Sequence, residues 1–318
     1  MIILIFYIIF GFIILIKGAD WIVNGASELA KKNNISDLAI GLTIVAFGTS
    51  APELTVNSFA ALKDDPDFVF GNVIGSNNFN LFVSLGIVGI ISPIAVQPRT
   101  VWREIPISFG AIIVLFLLCN DFFLDEFNIL TRIDGLILII LFGLFLFYVY
   151  KQMKNEKVVT DTTQHNISNF KIWGLILIGI SGLVIGGKLV VTNAEKIATA
   201  LGISDRIIGL TILAIGTSLP ELTTSVVAAL KNKNDMVIGN IIGSNIFNIF
   251  LILSVSTFFK PLAYKSNFNI DIYLLSGGTI FLFIAMFTGK KKKLDRWEAG
   301  ILLITFIFYT IYLINKEI

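Results

Sequence analysis

Residues 35–82 read ISDLAIGLTIVAFGTSAPELTVNSFAALKDDPDFVFGNVIGSNNFNLF, and residues 203–250 read ISDRIIGLTILAIGTSLPELTTSVVAALKNKNDMVIGNIIGSNIFNIF. The two stretches align without a gap, at a constant offset of 168. Well over half of the positions are identical, far beyond what shared hydrophobicity produces. Internal repetition of this kind decides the architecture before any local propensity does. Outside the window the likeness fades, and 104–150 and 269–318 resemble each other only as apolar helices.

The surrounding chain is apolar. Of its 318 residues 55% are hydrophobic and 14% are charged, whereas soluble domains carry about 25% charged residues. The apolar runs are long enough to cross a bilayer, which takes roughly 20 residues. A net charge of +2 gives no case for nucleic acid. The N-terminus, MIILIFYIIFGFIILIKGADW, has no basic n-region and no small-residue cleavage pattern, so it reads as a spanning helix and not a signal peptide. Cys119 sits alone in an apolar run, and His165, the only histidine, lies in a polar stretch, so neither a disulfide nor a histidine metal centre can form.

Spanning helices are expected near 2–24, 36–62, 70–91, 104–120, 133–150, 172–195, 205–230, 236–259, 269–288 and 297–314. The expectation is an all-α membrane protein of ten transmembrane helices. The polar connector 151–170 divides it into a first five-helix repeat, 1–150, with its motif at 36–82, and a second, 171–318, with its motif at 204–250. Five is odd, so the two copies must lie upside down relative to each other in the membrane. Inverted repeats are a hallmark of secondary transporters, whose sites lie at the repeat interface near the midplane. With the N-terminus outside, most of the 24 basic residues fall on inward connectors. They are Lys31, Lys32, Arg99, Arg103, Lys151, Lys154, Lys157, Lys171, Lys231, Lys233, Lys290 to Lys293 and Arg296. The positive-inside rule then puts both termini outside. Lys17, Asp20 and Lys188 are expected near helix ends, at the membrane interface.

The repeated motif carries the chemistry. Each copy has a proline, Pro52 or Pro220, directly before a glutamate, Glu53 or Glu221. Proline has no N–H, so the carbonyls of Gly48 and Gly216 lose their helical partners. Neighbouring carbonyls such as those of Ala46, Thr49, Ala214 and Thr217 can then tilt free. Ser50 and Ser218 are expected to cap the half-helices that follow. Broken helices are tolerated in a bilayer only where they are buried in protein or line a cavity. The next helix of each half adds a polar stripe at every fourth residue, Asn72, Ser76 and Asn80, and Asn240, Ser244 and Asn248. Gly71 and Gly75, and Gly239 and Gly243, have the small-xxx-small spacing that lets helices approach closely.

Electrostatics weighs most. An ionised side chain at a membrane helix centre costs at least ~2.5–3.5 kcal/mol. The segments 39–62, 70–98, 207–230 and 236–259 contain no Lys and no Arg. Glu53 and Glu221 must therefore be neutralised by protons or mobile cations. Carboxylates, hydroxyls, amides and carbonyls make an all-oxygen site, which suits Ca²⁺ better than Mg²⁺ and offers nothing soft for copper or zinc. Na⁺ can use the same oxygens. The plainer alternatives are that Asn72 and Asn240 only bridge helices and that each glutamate is a structural partner. Against them stands the joint recurrence of Glu, Pro and polar stripe in register. An intramembrane protease would use an Asp pair, and an open channel would not need a duplicated, inverted site.

These motifs, GTSAPE with GNVIGSNNFN and GTSLPE with GNIIGSNIFN, resemble the two α-repeats of the Na⁺/Ca²⁺ exchanger family. The likeness in plan extends over the whole chain. It implies a non-enzymatic antiporter of the cell membrane, monomeric, with Na⁺ entry driving Ca²⁺ out by alternating access as the first and sixth helices slide across the core. Ca²⁺ and Na⁺ are then transported substrates and no cofactor is needed. Position by position, the resemblance implies a Ca²⁺ site of Glu53, Glu221 and the carbonyls of Thr49 and Thr217. One Na⁺ site would use the Ala46 carbonyl, Ser50, Glu53 and Ser244. Its mirror would use the Ala214 carbonyl, Ser218, Glu221 and Ser76, with Asn80 and Asn248 facing the centre. Several family members, including the K⁺-dependent exchangers, carry Asp where this chain has Asn248, which argues against K⁺ dependence here. The runner-up reading is a H⁺/Ca²⁺ exchanger, which needs the same carboxylates.

Overall fold

A computed structural model describes residues 2–120, 128–155, 167–201, 214–289 and 292–317. Within them the chain is helical apart from two short ribbons. The first half comprises α1 (Ile2–Lys32), α2 (Asp37–Thr49), α3 (Ala51–Leu62), α4 (Pro66–Ile91), β1 (Ile94–Ala95), α5 (Pro98–Cys119), β2 (Ile129–Leu130) and α6 (Arg132–Lys154). The second comprises α7 (Asn169–Ala200), α8 (Ala214–Thr217), α9 (Leu219–Leu230), α10 (Asn234–Phe259), β3 (Leu262–Ala263), α11 (Ser266–Ala285), β4 (Lys293–Leu294) and α12 (Arg296–Leu313).

Eight described helices are long and apolar enough to span a membrane, and the pair α2–α3, bent by 47°, makes up to nine. The expected segment 205–230 is described only from residue 214, as α8 and α9; its first part lies outside the described residues, as do His165 and most of the connector 151–170. Several helices outrun their apolar stretches. Helix α1 has 31 residues, about 46 Å at 1.5 Å per residue, well beyond a bilayer core of about 30 Å. Its last turns, NGASELAKK, are polar and still helical. Lys17 and Asp20 therefore stand mid-helix in α1, and Lys188 mid-helix in α7, and not near the helix ends as expected.

Burial separates centre from periphery. The apolar windows of α10 and α4 are 94% and 78% buried, against 17% for α12. The two glutamate-bearing helices, α3 and α9, pack against this central pair. Glycine makes part of the contact possible. A Cβ at Gly239 would come within 2.6 Å of the Leu38 carbonyl oxygen, and one at Gly243 within 2.8 Å of the Ala46 Cβ, so the close approach read from this spacing is present at α2. At Gly71 a Cβ would meet only the Phe268 ring, at 3.7 Å, and at Gly75 nothing within 4 Å among the described residues, so the close approach expected there is not seen.

Helices α1 and α7 run antiparallel along each other. A Cβ at Gly18 would meet the Gly179 carbonyl at 2.9 Å, and one at Gly186 would meet the Gly11 carbonyl at 2.8 Å. Gly11 and Gly179, and Gly18 and Gly186, are partners at the offset of 168. The two contacts are therefore mirror images, and the two-fold relation extends beyond the window where sequence identity is visible. The ribbons repeat it. Ile94 pairs with Leu294 at one end of the bundle, and Leu130 with Leu262 at the other.

Connectors group at these two ends. Lys233 pairs with Asp37 at 2.8 Å, and Lys32 donates to the Ile167 carbonyl at 3.0 Å. At the opposite end Lys260 pairs with Asp64 at 2.5 Å, and Lys265 pairs with Asp67. Cys119 is buried at the end of α5.

Candidate ion-binding site

The break between α2 and α3 falls at Ser50, which leaves helical geometry at φ −87°, ψ 4°, and the break before α9 falls at Ser218, at φ −91°, ψ 3°. Pro52 and Pro220 then occupy the second position of α3 and α9, where a missing N–H costs nothing. Glu53 and Glu221 follow in the first turn of each half-helix, where the positive end of the helix dipole favours a carboxylate. This geometry places both carboxyl groups in the protein interior, 1% and 0% exposed.

Two expectations about the break need correction. Neither serine caps its half-helix through its side chain. Ser50 Oγ instead donates to Glu221 Oε1 at 2.9 Å, across the two halves. An N-cap residue has extended backbone from which its oxygen can accept a first-turn N–H, and neither serine is extended, at ψ 4° and 3°. Nor is the Ala46 carbonyl released: it accepts the Ser50 N–H at 3.0 Å and the Thr49 Oγ1 at 3.2 Å.

The polar stripes of α4 and α10 face the breaks. Thr49 Oγ1 donates to Asn240 Oδ1 at 3.1 Å and lies 3.4 Å from Ser244 Oγ. In the mirror contact, Asn72 Nδ2 donates to Thr217 Oγ1 at 3.1 Å. Asn240 Nδ2 also donates to the Glu221 carbonyl at 3.3 Å and to Ser225 Oγ at 3.1 Å. On the other side, Asn57 Nδ2 donates to the Glu53 carbonyl and to Asn72 Oδ1, each at 2.7 Å. Asn72 and Asn240 therefore do bridge helices, as their plainer reading held. In doing so they fix the first turns of α3 and α9 that bear the glutamates.

A set of buried oxygens is left over. Among the described residues, both Glu53 carboxylate oxygens, Glu221 Oε2, Ser76 Oγ, Ser218 Oγ, Asn248 Oδ1 and both polar atoms of Asn80 have no hydrogen-bond partner. A buried polar atom without a partner costs about 1–3 kcal/mol, and more when charged. Such atoms in one native interior need a ligand to account for them. None of the described ion pairs involves either carboxylate. Among the described residues there is also no cluster of three or more His, Cys, Asp or Glu. A cation here would draw its other ligands from hydroxyls, amides and carbonyls, as hard ions do.

Ala46, Thr49, Ser50, Glu53, Ser76, Asn80, Ser218, Glu221, Ser244 and Asn248 are thus all buried, Thr217 is half-buried, and Ala214 starts α8 one turn before the second break. Sequence reasoning missed four contributors. Asn57 and Ser225 hold the first turns, and Asn77 and Asn245 join α4 to α10. Asn77 Nδ2 donates to the Asn245 carbonyl at 3.2 Å, and Asn245 Nδ2 to the Asn77 carbonyl at 3.4 Å. Both stand one residue off the four-residue stripe. Each also precedes a π-helical turn, Phe79–Ser84 or Asn248–Ile252. Such turns are frequent at functional sites.

Comparison with known proteins agrees with this arrangement. The family model described as sodium/calcium exchanger protein matches residues 3–151 and 171–315. The chain is 31% identical over 345 residues to the sodium/calcium exchanger MaX1 of Methanosarcina acetivorans, covering 96% of this chain and 97% of that one. It is 36% identical over 301 residues to a membrane protein of Methanocaldococcus jannaschii, covering 95% of each. Its fold matches a solved structure of the sodium-calcium exchanger NCX_Mj soaked with Na⁺ and Sr²⁺, with a TM-score of 0.82 at 35% identity, over 96% of this chain and 97% of that one. Two matching halves, broken helices bearing paired glutamates and similarity along nearly the whole length agree: the chain belongs to the sodium/calcium exchanger family of multi-pass membrane antiporters.

Proposed function

We propose that this protein is a secondary active antiporter that exchanges Na⁺ for Ca²⁺ by alternating access, extruding Ca²⁺ without a need for K⁺. One observation carries the reading. Two buried carboxylates on broken helices, with several unpartnered oxygens around them, have no ion pair among the described residues. They need mobile positive charge to be stable in a bilayer.

Glu53 and Glu221, with the Thr49 and Thr217 carbonyls, hold Ca²⁺, whose charge balances two carboxylates. Ala46, Ser50, Glu53 and Ser244 hold one Na⁺, and Ala214, Ser218, Glu221 and Ser76 its mirror, with Asn80 and Asn248 between them. Both ions use the same carboxylates, so occupancy by one excludes the other and their fluxes are linked. The Ala46 carbonyl must turn from its helical partner to serve as a ligand, so Na⁺ entry there includes a local rearrangement of α2. Asn248, in place of an Asp, leaves two carboxylates in the centre and supports independence from K⁺.

Ten spanning segments in two inverted halves, 1–150 and 171–318, give the frame. Both termini face outside, and the end bearing Lys32, Arg99 and Lys233 faces the cytoplasm. Helices α1 and α7, joined along their glycines, slide over the core as one body to expose the site to either side. The protein works as a monomer in the cell membrane.

Purified protein in vesicles tests this. A Na⁺ gradient should drive radiolabelled Ca²⁺ the opposite way, and adding K⁺ should not raise the rate. Ca²⁺ uptake driven by a pH gradient without Na⁺ would instead assign H⁺ coupling.

A further inference from the structure

Asn77 and Asn245 are equivalent in the repeat, yet their side chains do different work. Each donates its Nδ2 to the other's backbone carbonyl, at 3.2 and 3.4 Å. Only Asn77 uses its carbonyl oxygen as well: Oδ1 accepts from Asn248 Nδ2 at 2.9 Å. The mirror bond would join Asn80 Nδ2 to Asn245 Oδ1, and both of those atoms are buried without a partner among the described residues.

An amide side chain has one end that attracts a cation and one that repels it. It is a ligand only when its NH₂ is turned away. Asn248 is fully buried and stands one turn beyond Ser244, on the stripe that faces the α2 break. Its Nδ2 is held by Asn77 and its Oδ1 has no partner among the described residues. The hydrogen bond therefore sets which end of the amide is left for an ion. Asn80, on the matching stripe of α4, has no such holder among the described residues.

We propose that Asn77 is a positioning residue for the ion site: it fixes the Asn248 amide with its oxygen available as a neutral ligand, while no equivalent bond holds Asn80 among the described residues. The inference rests on the ion site proposed above. It makes the two central asparagines unequal, one held by a hydrogen bond and one without it, although the repeat supplies both. A preset ligand avoids the ordering cost that a free one incurs when the ion arrives.

The test measures Na⁺-displaceable binding of radiolabelled Ca²⁺ to the detergent-solubilised full chain, with thermal midpoints recorded alongside. Asn77→Ala should weaken Ca²⁺ binding by about five- to ten-fold, the worth of roughly one hydrogen bond. Asn245→Ala removes an equivalent inter-helix bond but orients no ligand. It should lower the thermal midpoint by a similar amount and leave Ca²⁺ affinity within about two-fold, because that bond contributes packing alone. In an Asn248→Ala background, Asn77→Ala should have no further effect on affinity, since nothing remains to be oriented. Asn77→Ser, too short to reach Asn248, repeats the measurement if the alanine variant fails to fold. Equal affinity losses for Asn77→Ala and Asn245→Ala, or additive losses with Asn248→Ala, would overturn the positioning role and leave the ion site standing. A wild type with no Na⁺-displaceable Ca²⁺ binding overturns both.

Discussion

The two halves carry the same site residues and hold them differently. Glu221 accepts a hydrogen bond from Ser50 at 2.9 Å, whereas Glu53 receives none among the described residues and the equivalent hydroxyl, Ser218 Oγ, has no partner there. At the breaks, Ser50 N donates to the Ala46 carbonyl four residues back, while Ser218 N donates to Ile215, three back. Duplication copied the residues but not their bonds. A perfectly two-fold site would look the same from both membrane faces and would favour neither. The conformation described here breaks that equality at the serines, and an inverted repeat can restore it in the opposite sense by exchanging the roles of its halves.

The strongest way to challenge the comparison is to remove one carboxylate at a time. Glu53→Gln and Glu221→Gln should each lower Na⁺-driven Ca²⁺ flux at least about 100-fold, since each leaves a single charge against a divalent ion in a water-poor interior. If only one variant loses flux, the two halves are not one site. The next largest effect concerns the α1–α7 seam. Gly18→Leu and Gly186→Leu each drive a side chain into backbone at under 3 Å. Each should cost about 1–3 kcal/mol or more, read as a lowered thermal midpoint, and by a similar amount because the contacts are mirror images. A smaller effect separates the serines. In ion-free buffer, where protons neutralise the carboxyls, Ser50→Ala should destabilise by about 0.5–1.5 kcal/mol, the worth of a neutral hydrogen bond. Ser218→Ala, which breaks no described bond of its side chain, should stay within about 0.5 kcal/mol, as uncoupled substitutions do. Smallest of all is Asp20→Asn. Lys231 reaches Asp20 at 2.5 Å and Asn24 at 2.6 Å, an ion pair between α1 and the end of α9. The repeat maps Asp20 onto Lys188 and Lys231 onto Lys63, two like charges, so the pair has no mirror. It is 30% and 39% exposed, so its loss should cost at most about 1 kcal/mol and vanish at high salt.

Much of this was legible in the sequence because its strongest signals are global. Bilayer-length apolar runs, a gapless repeat and an odd helix count per half are properties of long stretches, and they gave the membrane class and the paired glutamates. What escaped notice is local and tertiary. Helix ends were placed too early because hydropathy reads the lipid core, while polar residues such as Ser27 to Lys32 continue α1 beyond it. The serines have the residue type of caps, but a cap also needs extended backbone, and the backbone at both breaks is not extended. Asn77 and Asn245 fell off the four-residue stripe, and the π-helical turns beside them leave no mark in residue type. The likeness of α1 to α7 rests on a few shared glycines, too sparse for alignment and clear only in contact.

In the proposed exchange, Glu53 and Glu221 together take their charge balance from the exchanged ions. Equilibrium Ca²⁺ binding to the purified protein, titrated with Na⁺, addresses it most directly. The account predicts one Ca²⁺ per chain, displaced by Na⁺, and loss of that binding when either glutamate becomes glutamine. Ca²⁺ binding that persists undiminished in Glu53→Gln or Glu221→Gln, or that Na⁺ cannot displace, would contradict it.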